Sequence, residues 1–230
     1  MNVTIIPAAG RSKRMASRSS KQFLLLDGMP VLAHTLKVFE ESEAIDKVIV
    51  VGNAKDLDYC RKKIIERYGF KKVSDLVRGG RRRQDSVFNG LKALPAETDL
   101  VLIHDGARPL VPAELVNKAV SELKGWSALV PGIPVKDTIK VASLDRFVMY
   151  TLDRPRLFLI QTPQVFKAKV LLEAHWQARS DGIWGTDDAM LVERLGIPVK
   201  VIEGSEENIK ITTPVDILIA EAILERRRKK

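Results

Sequence analysis

Short runs in which almost every residue is apolar recur along the chain, at 3–6, 47–52, 100–105, 128–131 and 198–203. A strand that is apolar on both faces belongs in a sheet covered on both sides, the setting of parallel strands. The intervals carry a different period. Residues 32–39, 86–94, 113–123, 167–178, 186–195 and 214–224 place apolar side chains three and four apart, which predicts amphipathic helices. Pro112, Pro214 and Thr186, which precedes Asp187-Asp188, mark helix starts. Strand and helix in alternation predict an α/β fold with a mostly parallel central sheet and helices on both faces. Ligands of such folds sit outside the carboxyl ends of the strands, so the chemistry is expected in the loops that follow the apolar runs.

One segment breaks the alternation. Residues 137–143 and 147–152 are strand-like around Leu144-Asp145-Arg146, which predicts a β-hairpin. The spacing fits two arrangements equally: an arm, roughly 135–157, reaching a second subunit, or an edge hairpin on its own domain. No repeat and no flexible interdomain linker interrupts the chain. With 230 residues and a hydrophobic fraction of 45%, residues 1–230 are expected to form one domain with a sizeable core.

A net charge of +9 directs attention to anionic partners. A nucleic-acid binder needs a basic stripe, often with interleaved aromatics. This chain is only 6% aromatic and its basic clusters are scattered, which favours small phosphorylated substrates over nucleic acid. The terminal run Arg226-Arg227-Arg228-Lys229-Lys230 reads as a solvated helix end. The single cysteine, Cys60, lies in a helical stretch and allows no internal disulfide, which fits a reducing cytoplasm. The N-terminus has no signal-peptide pattern, and no run approaches the roughly 20 apolar residues of a membrane helix.

The candidate chemistry lies in five places. Pro7-Ala8-Ala9-Gly10 follows the first run and leads into Arg11, Lys13, Arg14, Arg18 and Lys21. Small residues let backbone N–H groups approach and cradle an anion. Arginine adds a fork of donors and lysine a mobile charge, a set suited to a triphosphate and also found in plain basic loops. The patterns GxxxxGK[ST] and GxGxxG are absent, which argues against a P-loop kinase and a nicotinamide enzyme. Next, Gly79-Gly80 precedes Arg83 and Ser86, with Ser86 expected to begin a helix. Arg83 and Ser86 face a base or phosphate there, or merely cap the helix. His104-Asp105-Gly106-Ala107-Arg108 closes the third run, placing Asp105 where a carboxylate could hold Mg²⁺. His104 reads as a hydrogen-bonded core residue, and His34, His104 and His175 are too scattered for a zinc site. Thr138 and Arg154 stand at the base of the hairpin, and Lys210 and Thr212 alternate on an expected strand. Either pair alone also fits ordinary surface polarity.

Taken in order, these motifs resemble one family over nearly the whole chain. Ala8-Ala9-Gly10, Arg14-Met15, Lys21-Gln22, Gly79-Gly80, Arg83, Ser86-Val87, His104-Asp105 and Ala107-Arg108-Pro109 carry the likeness. Asp137-Thr138, Asp153-Arg154, Thr162-Pro163-Gln164, Thr186-Asp187 and 208–212 continue it. The family is the cytidylyltransferases of sugar-alcohol phosphates, nearest its branch acting on methylerythritol 4-phosphate. The resemblance implies a Rossmann-like nucleotidyltransferase with a β-arm that joins a homodimer. It also implies CTP and a polyol phosphate as substrates, pyrophosphate as by-product and Mg²⁺ as the ion. Arg14, Lys21, Arg154 and Lys210 match its catalytic cations. Ala8, Ala9, Gly10, Gly80, Arg83 and Ser86 match its CTP contacts, and Asp105, Arg108, Thr138 and Thr212 its substrate contacts. Three positions depart from the pattern: Ser12 for a second glycine, Ser20 for a proline, and Arg81 for an acid. A ribitol 5-phosphate enzyme shares the motifs. A hexose-phosphate guanylyl- or thymidylyltransferase does not.

Overall fold

Val3, Ile5, Ile49, Val51, Val101 and Ile103 pack into one apolar core, while their sequence neighbours Ile6, Val48, Val50 and Leu102 pack into another. Side chains alternate across a strand, so a strand apolar at every position feeds a core on each face of its sheet. The structure, a computed structural model, describes residues 1–10 and 21–229, with the side chain of Lys21 excepted.

The chain opens with β1 (Asn2–Pro7), β2 (Leu25–Leu26), β3 (Met29–Pro30), α1 (Val31–Glu41) and β4 (Lys47–Gly52). A continuous helical stretch follows, α2 (Leu57–Tyr59), a π-helical turn (Cys60–Ile65) and α3 (Glu66–Tyr68), then β5 (Val73–Arg78) and α4 (Arg83–Leu91). Next come β6 (Leu100–Ile103), α5 (Ala113–Ser121), β7 (Ala128–Pro134), β8 (Lys140–Ala142) and β9 (Val148–Thr151). β10 (Phe158–Ile160), β11 (Gln164–Lys167), α6 (Ala168–Ser180), α7 (Asp188–Glu193), β12 (Lys200–Glu203) and α8 (Pro214–Arg228) complete it.

Among the described residues the main sheet has eight strands. β6, β1, β4 and β5 are parallel neighbours, and β12 is parallel to β7. β10 and β11 run antiparallel on β7, and β11 joins that half to β6. α1 and α5 fill one core; α4, α6 and α7 fill the other. The expected α/β fold with a mostly parallel sheet is therefore what forms. The strand-like runs at 137–152 become β8 and β9, which pair with each other in a two-stranded sheet separate from the main one.

Two local expectations are corrected. Residues 208–213 form no ladder, although the alternation is real. Ile209 and Ile211 pack against Leu26 and α8 while Ile211 N–H donates to Ala107 O at 2.8 Å, so the inward residues are tied to a loop instead of a strand. The terminal cations are not merely solvated. Arg226 and Arg227 both pair with Glu207, Arg227 also donates to Leu110 O at 2.7 Å, and Arg228 pairs with Asp27.

Candidate active site

The parallel strands β1, β4, β5 and β6 end side by side, and the residues that follow those ends line a cavity of about 460 Å³. That volume suits a small organic ligand. The lining includes Ala8, Ala9 and Gly10 after β1, Asn53 after β4, Gly80 after β5, and Asp105 after β6. Backbone bonds lock these turns together. Ala8 N–H donates to Val51 O at 2.7 Å, and Gly79 N–H to Gly52 O at 2.7 Å. The Gln22 side-chain amide donates to Ala8 O, which fixes Gln22 against the end of β1. Glycine is required at 79 and 80 by crowding. A Cβ on Gly79 would lie 2.5 Å from Ala9 Cβ, and one on Gly80 would collide with Asp85 Cβ.

α4 begins at Arg83, three residues earlier than expected, because Asp85 accepts from Arg82 N–H at 3.2 Å and caps the turn. Ser86 therefore sits inside the first turn. Its hydroxyl accepts from Gly80 N–H and donates to Arg82 O, both at 3.1 Å. That hydroxyl builds the glycine turn that faces the cavity.

Asp105 is the electrostatic centre. Its Oδ1 accepts from Arg83 Nε at 3.2 Å, its Oδ2 lies 2.6 Å from Lys210 Nζ, and Arg108 Nε stands 4.0 Å away. Burial favours the protonated acid. Arg83 and Lys210, followed by Arg108, outweigh that and hold the carboxyl well below the usual carboxylate range. Burial likewise opposes charge on Arg83, and Asp188 and Asp105 raise its pKa above the ordinary value. Arg108 also donates to Asn208 O at 2.6 Å, tying the Asp105 loop to the loop that carries Lys210.

His104 is a framework residue. Thr162 Oγ1 accepts from Asp105 N–H and lies 3.1 Å from His104 Nδ1, while His104 Nε2 lies 3.1 Å from Arg108 O. A carbonyl only accepts, so the hydrogen is on Nε2 and Thr162 donates to Nδ1. Burial pushes this imidazole down to about 4, so it is neutral at pH 7 and unsuited to general-base work there. Burial likewise pushes the Cys60 thiol up to about 12, which leaves it without nucleophilic character.

Of the sequence candidates, the cavity brings together Ala8, Ala9, Gly10, Gly80, Arg83, Ser86, Asp105 and Lys210. Arg108 stands behind Asp105. Thr212 lies outside the lining, and its hydroxyl donates to Asp216 at 2.8 Å in the cap of α8. Thr138 and Arg154 also lie outside the lining. Thr138 is exposed, and Arg154 donates to Lys136 O at 3.0 Å at the foot of the hairpin. Arg14 lies outside the described residues, as does the side chain of Lys21. Arg81, the departure after Gly80, lines the cavity beside Arg82. Sequence reasoning missed Asn53, although its place directly after an apolar run was a usable signal. It also missed Asp188, which appeared only as part of a helix start.

A parallel sheet whose strand ends hold small-residue turns and a ring of cations around one carboxylate defines an α/β enzyme that handles a nucleotide phosphate. The comparisons with known proteins narrow the class. Residues 2–226 match the family described as IspD, 2-C-methyl-D-erythritol 4-phosphate cytidylyltransferase. The chain is 46% identical over 225 residues to the 2-C-methyl-D-erythritol 4-phosphate cytidylyltransferase of Alkaliphilus oremlandii, covering 98% of this chain and 95% of that protein. It is 45% identical to that of Caldanaerobacter subterraneus, covering 98% and 100%. Among solved structures it is similar to 4-diphosphocytidyl-2C-methyl-D-erythritol synthase from Anaerococcus prevotii, with TM-score 0.86, 34% identity and coverage of 97% and 96%. The Thermus thermophilus enzyme matches with TM-score 0.77, 32% identity and coverage of 96% and 98%. The chain belongs to the 2-C-methyl-D-erythritol 4-phosphate cytidylyltransferase family and is a nucleotidyltransferase.

Proposed function

We propose that this chain transfers the cytidylyl group of CTP to 2-C-methyl-D-erythritol 4-phosphate. An acceptor phosphate oxygen attacks the α-phosphorus, the bond to the β-phosphate oxygen breaks, and pyrophosphate leaves. The observation that carries the reading is the convergence of Arg83, Lys210 and Arg108 on Asp105 at the mouth of a backbone cradle. Two anions must meet for this reaction, so positioning and charge stabilisation supply the rate, and no side-chain nucleophile is needed.

The cavity's residues divide the work. Ala8, Ala9 and Gly10 cradle the triphosphate, and Gly80, Arg83 and Ser86 form the wall against the base. Arg14 and Lys21 stabilise the transition state and the departing pyrophosphate. Lys210 and Arg154 hold the acceptor phosphate, with Thr138 and Thr212 beside them. Mg²⁺ characteristically takes one or two carboxylates together with phosphate oxygens. Asp105 is the carboxylate of the cavity lining and is ionised at neutral pH; its Oδ1 is taken by Arg83 and its Oδ2 by Lys210, so it would hold the ion only where Lys210 turns from Oδ2 to the acceptor phosphate. Held there, it would neutralise charge on the triphosphate.

The hairpin leaves Leu144, Phe147, Val148, Met149 and Tyr150 exposed, an apolar stretch suited to burial against a second copy. We place a homodimer interface there, with Thr138 and Arg154 serving the partner's cavity. Among the described residues no helix is long and apolar enough to cross a membrane, and the proposed site of action is the cytoplasm. The reading is tested by pyrophosphate release with Mg²⁺, 2-C-methyl-D-erythritol 4-phosphate and each of CTP, UTP, GTP and ATP. Release that favours CTP by about tenfold or more supports it. Equal release from all four, or none, overturns it.

A further inference from the structure

Arg83 is held by two carboxylates, and only one of them belongs to the cavity. Its Nε donates to Asp105 Oδ1 at 3.2 Å, and its NH1 donates to Asp188 Oδ2 at 2.6 Å. Asp188 is the first residue of α7, and its side chain is 1% exposed. Its other oxygen, Oδ1, accepts from His175 Nε2 at 3.0 Å, and His175 on α6 is fully buried. Partners thus alternate inward from the cavity: Lys210, Asp105, Arg83, Asp188, His175.

Burying a carboxylate costs several kcal/mol before its partners repay it, and apolar residues of similar volume commonly stabilise a core as well or better. A buried Asp188 is therefore poorly explained as a stability device. Its geometric effect is specific. A guanidinium is a rigid plane, and two acceptors in different directions fix that plane. With Asp105 alone, Arg83 could turn to grip both of its oxygens and displace Lys210 from Oδ2. With Asp188 in place, Arg83 takes one Asp105 oxygen and leaves the other to Lys210. Its NH2 nitrogen makes no hydrogen bond within the described residues and remains available to a ligand. His175 completes the support by occupying the second Asp188 oxygen, so the carboxylate cannot rotate away. The Phe88 ring is nearly parallel to the imidazole, with ring centroids 6.2 Å apart.

We infer that Asp188, backed by His175, is a positioning residue for nucleotide binding: it orients the Arg83 guanidinium toward CTP while neither side chain lines the cavity. The inference rests on the proposed reading of the cavity as a CTP site.

The test compares wild type with Asp188→Asn, His175→Leu and His175→Gln. CTP affinity is measured by calorimetry without acceptor, and KM values for CTP and acceptor are measured separately. The Arg83 Nε–H resonance is followed by ¹⁵N NMR, and Tm is recorded. Asp188→Asn is expected to weaken CTP binding about tenfold or more, as for loss of one charge-assisted hydrogen bond. The acceptor KM should rise by a clearly smaller factor than the KM for CTP, since it feels Asp188 only through Lys210, and the Arg83 resonance should shift. His175→Leu should weaken CTP binding by a smaller factor, and His175→Gln, which keeps a donor, should restore it. Unchanged CTP affinity, or CTP and acceptor KM values rising by the same factor, would reduce Asp188 to a structural ion pair and overturn the inference. If Asp188→Asn fails to fold, the two His175 variants decide by the same criteria. Wild type that binds no CTP would refute the functional reading. The Arg83 resonance would still report whether Asp188 orients it, since that signal needs no substrate.

Discussion

His104 shows how a residue can sit in the middle of a motif and take no part in the reaction. Both ring nitrogens are used within the frame that holds Asp105 and Arg108, and burial lowers its pKa from 6.5 to about 4. In the unfolded chain it would titrate near its ordinary value. Between those values the unfolded state therefore binds the extra proton, and stability must fall as pH falls. The contribution is roughly 3 kcal/mol, present above pH about 6.5 and lost as pH drops toward 4. Asp105, whose pKa is depressed, adds to the loss at still lower pH. Thermal unfolding followed from pH 7 to 4 should show a declining Tm, and His104→Asn should flatten the part of the decline between pH 6.5 and 4. A variant with the wild-type slope would show that the slope arises elsewhere.

At the scale of elements, α4 carries Arg83 and Ser86, and its distance from the sheet sets where they stand. That distance is short because residue 90 is glycine. A Cβ there would lie 2.6 Å from Ile5 Cγ2 on β1 and 3.1 Å from Val51 Cγ2 on β4. Gly90→Ala should push the helix outward, costing about 1–3 kcal/mol, as overpacking does. The KM for CTP should rise with it. A calorimetric scan together with a CTP titration checks both, and an unchanged KM would separate the helix's packing from the site. The elements also show what the sequence could and could not disclose. β1, β4 and β6 were legible because both faces are buried and nearly every position is apolar. β5 was not, since Ser74 and Asp75 are exposed on an edge strand and break the run. β11 was hidden by its brevity and by Thr162-Pro163 just before it, although Val165 and Phe166 are fully buried. The segment carrying Lys210 was read as a strand because its alternation is real, and tertiary contacts supplied its bonds instead of a ladder. Asp188 had no sequence signal beyond a helix cap, since its partner Arg83 is 105 positions away.

At the scale of the molecule, the cavity and the hairpin pose one question. Lys210 reaches the cavity from its own chain, while Thr138 and Arg154 lie at the foot of a hairpin whose apolar side chains are exposed. If the hairpin is exchanged between copies, two different inactive subunits can complete each other. Mixing Arg14→Ala with Arg154→Ala protein should restore up to about a quarter of wild-type activity, on the basis of random pairing between the two kinds of subunit. No recovery, once mixed dimers are shown to form, would place all the residues in one chain. The central claim is the transfer itself. The most direct measurement is ³¹P NMR of the protein with CTP, Mg²⁺ and 2-C-methyl-D-erythritol 4-phosphate, with a parallel sample containing ribitol 5-phosphate. The account predicts loss of the three CTP resonances and matching growth of a coupled diphosphate pair and pyrophosphate in the first sample. Turnover of ribitol 5-phosphate with none of the methylerythritol substrate would contradict it.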